Sequence, residues 1–319
     1  MIIVMINPLK TLFLFLFIFN VSYVIAHDKN SDYNKNSQLK PLVDIRWLKE
    51  HLNDPDIVIL DASVIISFNE EGQFSMLSGK DQYHDSHIPH ARFADLLGDL
   101  SATDTKLHFV MPSSQQFQKA INDLGISNDS RVVIYSSKPS QSWAQRLWWM
   151  LYWAGHDNIA ILDGGFNAWL EADFPVSNKT VDPIKTDFKL NLRNNIIAER
   201  DEVYQAISDE GITIVDALPE ASYNGSFSMY ARSGHIDSAI NIPTNKLVLD
   251  SGYYKTIDEL NTLFKSNPEK RIITYCGGGV AASSTAFTLH RLGYKDVAVY
   301  MGSLQEWVTN DENPMSVEK

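Results

Sequence analysis

The chain has 319 residues, 44% of them apolar, and a formal net charge of −12. That acidic balance, with no long basic run, carries no electrostatic footprint for nucleic acid. The length suits two domains of ordinary size, and a single cysteine excludes an internal disulfide framework.

The chain opens with Lys10 ahead of a strongly apolar segment, TLFLFLFIFNVSYVIA, which ends on Val24-Ile25-Ala26. A positive start, an apolar stretch and small residues at the end read as a secretory signal over 1–26, cleaved near Ala26. Asn20 and Ser22 interrupt the segment, which argues against a stable membrane span and a stable membrane partner. The expected location is periplasmic or secreted. Residues 27–41 follow as a polar, disordered leader. In an oxidising compartment one unpaired thiol is easier to explain if it does chemistry.

The remainder reads as an internal duplication. Each half begins with an apolar run that ends on aspartate, IVIL before Asp61 and ITIV before Asp216. Each continues through a His-Ile turn at His87 or His235 and a second apolar run, RVVIY or RIITY, ending at Tyr135 or Tyr275. A helix closed by Gly155 or Gly293 comes next, then a third strand leading into DGGFNAW at 163–169 or MGSLQEW at 301–307. Strands alternating with helices in this way predict α/β domains, each a parallel sheet flanked by helices. The domains are placed at 42–178 and 199–317, with a linker over 179–198. Recurrence in both halves assigns Asp61, Asp216, Trp169 and Trp307 to fold maintenance, and His87 and His235 to turn capping. Trp148, Trp149 and Trp153 fall at helical spacing and read as core or interface packing.

The most informative stretch is RIITYCGGGVAASSTAFTLHRLG from Arg271. A β-branched strand ends on Cys276, three glycines follow, and Ala282, Ala286, Leu289 and Leu292 recur at helical spacing. A thiol there faces free backbone N–H groups and the positive end of a helix dipole, which favour a thiolate. Packing alone needs no glycine triplet, whereas cradling an anion does. In the first half the matching position is Ser136, in a loop without the glycines or the thiol, so that half is expected to be catalytically silent.

These features together resemble the rhodanese family of two-domain sulfurtransferases, on YCGGGVAAS from Tyr275, SGHIDSAINIP from Ser233 and RLWWMLYWAGHDNIAILDGGFNAW from Arg146. The resemblance covers about Leu42 to Trp307 and implies a tandem duplication of a small rhodanese-like domain. It implies that Cys276 takes a sulfane sulfur from a small anionic donor as a persulfide and passes it to a thiophilic acceptor such as cyanide or a thiol. No cofactor is required, and one cysteine with scattered histidines gives no metal-ligand spacing. Donor groups for the anion are expected from Gly277, Gly278, Gly279, Val280 and Ala281, with Arg232 as the cation at the mouth. His108 lies roughly where mercaptopyruvate enzymes of the family place an assisting histidine, with Asp95 or Asp99 beside it. Arg146 reads as a structural ion pair.

The loop lacks the basic side chains that often follow the cysteine in thiosulfate enzymes, and it lacks the hydroxyls of mercaptopyruvate enzymes. Thiosulfate is the expected donor, with 3-mercaptopyruvate as the alternative. Two other roles are weighed. A cysteine phosphatase needs an arginine at position 282, where this chain has Ala282, so nothing would grip a phosphoryl group. A sulfane-sulfur carrier or binding protein without turnover stays open.

Overall fold

The computed structural model describes residues 38–68, 74–137 and 142–318. The signal segment and most of the leader lie outside the described residues. Residues 38–41 of the leader are placed, with Leu39 buried and its N–H donated to Asn158.

The first half contributes β1 (Leu42–Val43), α1 (Ile45–His51), β2 (Ile57–Asp61), a hairpin of β3 (Val64–Phe68) and β4 (Phe74–Ser78), α2 (Lys80–Asp85) and β5 (Arg92–Phe93). It continues with α3 (Ser114–Asp123), β6 (Arg131–Tyr135), α4 (Ser142–Trp153), β7 (Ile159–Leu162) and α5 (Gly165–Glu171). The second half contributes β8 (Ile197–Ala198), α6 (Arg200–Ala206), β9 (Ile212–Asp216), α7 (Glu220–Tyr223), β10 (His235–Ile236) and β11 (Ile240–Asn241). Then come α8 (Ile257–Asn261), β12 (Arg271–Tyr275), α9 (Val280–Arg291), β13 (Val297–Tyr300), α10 (Ser303–Trp307) and β14 (Met315–Ser316).

The two five-stranded sheets have the same order. β1-β7-β6-β2-β5 in the first half is repeated as β8-β13-β12-β9-β11 in the second, all parallel. Register is matched too, with Tyr135 opposite Asp61 and Tyr275 opposite Asp216. The α/β duplication expected from the repeats is therefore present strand by strand. The stretch read as a linker is strapped to the first domain, where Phe188 is buried and donates its N–H to Asn122. It ends in β8, which is the edge strand of the second sheet.

The repeated polar residues hold the turns beside the sheets. The Tyr275 hydroxyl donates to Asp216 at 2.7 Å and accepts from the Ile236 N–H at 3.0 Å. His235 stacks on Tyr223 at 3.7 Å, and one of its ring nitrogens meets the Tyr223 carbonyl. Burial pushes the Asp216 carboxyl up to about 6, against the hydrogen bonds from Leu218 and Tyr275 that favour its anion. His87 and Tyr83 repeat the stacked pair in the first half.

Each sheet has an outer apolar face of its own, closed by Trp169 in one domain and Trp307 in the other. The inner faces merge into one core across the domain boundary. Trp148 sits at that junction, against Phe287 and His290 of α9 at 5.0 Å each. Helices α4 and α9 pack against each other along that junction.

Candidate active site

Cys276 follows the last ladder residue of the central strand β12, at the carboxyl end of a parallel sheet where ligand sites form. Its loop is gripped from one side by the start of α10. The N–H of Leu304 donates to the Cys276 carbonyl at 3.0 Å, and that of Gln305 to the Gly277 carbonyl at 3.1 Å. The Ser303 hydroxyl accepts from the Cys276 N–H at 3.1 Å and donates to the Tyr300 carbonyl at 2.7 Å. Ser303 does this at a φ of 52°, a left-handed conformation that costs a non-glycine residue roughly 1 kcal/mol or more.

With these carbonyls spoken for, the loop N–H groups are left over. Among the described residues none accepts from the N–H of Gly277, Gly278, Gly279, Val280 or Ala281, the last two belonging to the first turn of α9. Orphan N–H groups at a helix start are an anion site in themselves. Gly279 caps the helix at a φ of 82°, which turns the chain from strand to helix within the loop.

The glycines also admit neighbours. A Cβ on Gly277 would land on the Tyr230 hydroxyl, one on Gly278 would come within 3.2 Å of the Phe109 ring, and one on Gly279 within 3.0 Å of an Arg146 Nη1. The first domain thus covers the second domain's loop. That cover is clamped by Gln305, whose amide accepts from the His108 N–H at 2.9 Å and donates to the His108 carbonyl at 2.7 Å.

Outside the loop lies a cleft of about 870 Å³ lined by Gly277, Gly278, Tyr230, Met229, Phe109, Met76 and Leu97 among others. Its polar groups include Lys106, His108, Gln305 and Thr105. Cys276 itself is 3% exposed, set beneath the loop and not on the cleft surface. Tyr230 is kept a neutral phenol by burial, and negative charge at Cys276 acts in the same direction.

The site residues expected from the sequence are not all brought together. Gly277 and Gly278 line the cleft, Gly279 caps α9, and Val280 and Ala281 begin it half-buried. His108 is at the cleft, held by its backbone to Gln305. Asp95 and Asp99 lie off the lining. The Asp95 carboxylate accepts from the Leu97 N–H, and the Asp99 carbonyl accepts from Gln116. Arg232 also lies off it, because its guanidinium donates to the carbonyls of Asn310 and Asn313 at 3.0 and 2.8 Å. Arg146, read as a structural ion pair, makes no ion pair among the described residues. It is buried against the active loop, with Nη2 on the Phe109 carbonyl at 2.7 Å and Nη1 on the Met301 sulfur.

Tyr230, Ser303 and Gln305 were not expected. For Ser303 a signal was available, since it occupies the place of Gly165 in the repeated motif and shares its positive φ. Among the described residues no three His, Cys, Asp or Glu side chains converge as metal ligands would.

A family model described as a rhodanese-like domain matches residues 44–172 and 199–310. Thiosulfate sulfurtransferase from Rattus norvegicus is 29% identical over 280 residues, covering 84% of this chain and 92% of its own. The 3-mercaptopyruvate sulfurtransferase of Escherichia coli strain K12 is 30% identical over 279 residues, covering 86% and 96%. Arabidopsis thaliana thiosulfate/3-mercaptopyruvate sulfurtransferase 1 is 31% identical over 312 residues, covering 88% and 80%. The crystal structure of SseA from Escherichia coli, described as a 3-mercaptopyruvate sulfotransferase with the rhodanese fold, superposes with a TM-score of 0.74 at 30% identity. It matches over 83% of this chain and 99% of that one.

The loop geometry separates two kinds of glycine. Gly279→Ala puts a Cβ into both a left-handed φ and a crowded space, while Gly293→Ala has the same φ problem and open space around it. Both are expected to lower stability by about 1 kcal/mol for the φ alone. Thermal unfolding should show a larger loss for Gly279→Ala, and sulfur transfer should fall only there. Equal losses with equal activity would contradict the crowding.

Proposed function

We propose that this chain, which belongs to the rhodanese family, transfers sulfane sulfur from thiosulfate to a thiophilic acceptor through a persulfide on Cys276. The observation that carries the donor is the loop from Gly277 to Ala282, a run of backbone N–H groups with neither an ionisable group nor a hydroxyl among its side chains. Thiosulfate suits such a loop because its reaction needs no proton. The Cys276 thiolate attacks the outer sulfur of thiosulfate, a new S–S bond forms, and the old S–S bond breaks. Sulfite leaves with the electron pair. One thiolate and one dianion become one persulfide anion and one dianion. Cyanide or a thiolate then takes the outer sulfur and returns the Cys276 thiolate. The thiolate is the nucleophile throughout, and the N–H groups meet charge on the persulfide and on the leaving group.

A second donor has one specific observation in its favour. With 3-mercaptopyruvate the thiol proton must move to the carbon that loses sulfur, and the Tyr230 hydroxyl beside Gly277 is a neutral group that could relay it. Steady-state rates with both donors on the wild type, Cys276→Ser and Tyr230→Phe test the assignment. The expected outcome is a higher kcat/KM for thiosulfate, little change of it in Tyr230→Phe, and no transfer in Cys276→Ser. A preference for 3-mercaptopyruvate that Tyr230→Phe abolishes would replace thiosulfate as the donor.

The protein is further proposed to act outside the cytoplasm, after cleavage near Ala26. Lys10, the apolar stretch and its small-residue end support this, and among the described residues no helix is long and apolar enough to cross a membrane. Sequencing the mature N-terminus should find it near His27. A cytoplasmic protein that begins at Met1 would contradict export.

A further inference from the structure

We infer that Arg146, supplied by the domain without a thiol, is the fixed counter-ion of the anion on Cys276, as thiolate before transfer and as persulfide after it. The persulfide half rests on the function proposed above, whereas the thiolate half does not.

Arg146 lies in α4 and is only 2% exposed. A buried guanidinium normally meets a carboxylate, because removing its charge from water is expensive without one. Arginine ion pairs among the described residues are made by Arg131, Arg193, Arg200 and Arg271, not by Arg146. Its own partners, the Phe109 carbonyl and the Met301 sulfur, accept hydrogen bonds but carry no charge. They aim the group at the active loop, close enough that a Cβ on Gly279 would sit 3.0 Å from Nη1. Burial lowers the guanidinium's pKa to about 10, and the charge acting against this is negative charge at Cys276.

The chemistry suits a cation that never changes. Thiolate and persulfide each carry one negative charge, so Arg146 is balanced in both resting states without uptake or release of a proton. Thiosulfate arrives and sulfite departs as dianions, so the balance also holds across transfer. Among the described residues three other titratable groups line the same cleft. Tyr230 is a half-buried phenol whose pKa is raised, so it remains neutral, while Lys106 and His108 stand on the cleft lining from the first domain. Lys106 is exposed, so water and salt screen its charge.

Cys276 is the only cysteine, which makes alkylation of the intact protein by iodoacetamide a direct readout of its thiolate. The test is the alkylation rate from pH 5 to pH 10 for the wild type, Arg146→Gln, Arg146→Lys and Lys106→Gln. No sulfur donor is needed, so the result stands apart from the donor assignment. Arg146→Gln is expected to react about tenfold more slowly at pH 7 and to regain the wild-type rate about one pH unit higher. Arg146→Lys keeps the charge and stays near the wild-type profile, and Lys106→Gln leaves the profile in place. An unmoved profile in Arg146→Gln overturns the inference. So does a slower rate that higher pH does not restore, which marks a packing defect, or an equal shift in Lys106→Gln.

Should Arg146→Gln not fold, Arg146→Met, which keeps the side chain's apolar stem and removes its charge, takes its place with the same expected slowing, and an unchanged alkylation rate overturns the inference.

Discussion

The site depends on how the backbone hydrogen bonds of one loop are divided. Carbonyls at the end of a sheet must find donors, and those of Cys276 and Gly277 find them in the N–H groups that open α10. Among the described residues the N–H groups from Gly277 to Ala281 find no acceptor, so they are available to an anion. The twin loop shows the same grip, with the Phe166 N–H on the Ser136 carbonyl at 3.3 Å, but no thiol for it to serve. The thiol and its glycines are therefore a few residues laid over a frame that both halves share.

The half without the thiol is not idle. Its helix α4 packs on α9 through Trp148, its His108 backbone is clamped by Gln305, and its Phe109 covers Gly278. Cys276 is buried beneath this cover, and His108 and Phe109 also line the cleft beside its loop. Lower local dielectric strengthens every charge interaction at Cys276, which gives Arg146 weight that a surface cation lacks. Duplication has thus yielded one domain that holds the thiol and one that completes its surroundings.

The fold was legible because it is written twice. Two occurrences of strand, His-Ile turn, strand, helix and glycine mark two α/β domains with parallel sheets, and the core follows from the apolar strands, whereas the order of the strands in each sheet comes from the structure. The thiol and its loop were legible for a local reason, since strand, cysteine and glycine triplet are contiguous. What sequence could not supply was distance across the domain boundary. Arg232 is close in the chain to the His235 turn, yet its guanidinium is engaged by the Asn310 and Asn313 carbonyls off the cleft lining. Arg146 is 130 positions before Cys276 and reaches its loop only because α4 and α9 pack together. Tyr230 lies in an irregular segment with no periodicity to place it. Ser303 could have been read from its twin Gly165, because a position that tolerates glycine's left-handed backbone in one copy demands it in the other.

In the proposed reaction Cys276 is the residue that carries the sulfur. The most direct measurement is the intact mass of the protein after exposure to thiosulfate and again after cyanide, for the wild type and for Cys276→Ser. A gain of one sulfur atom on the wild type, lost with cyanide and absent from Cys276→Ser, is the predicted result. No gain on the wild type, or an equal gain on Cys276→Ser, would contradict the account.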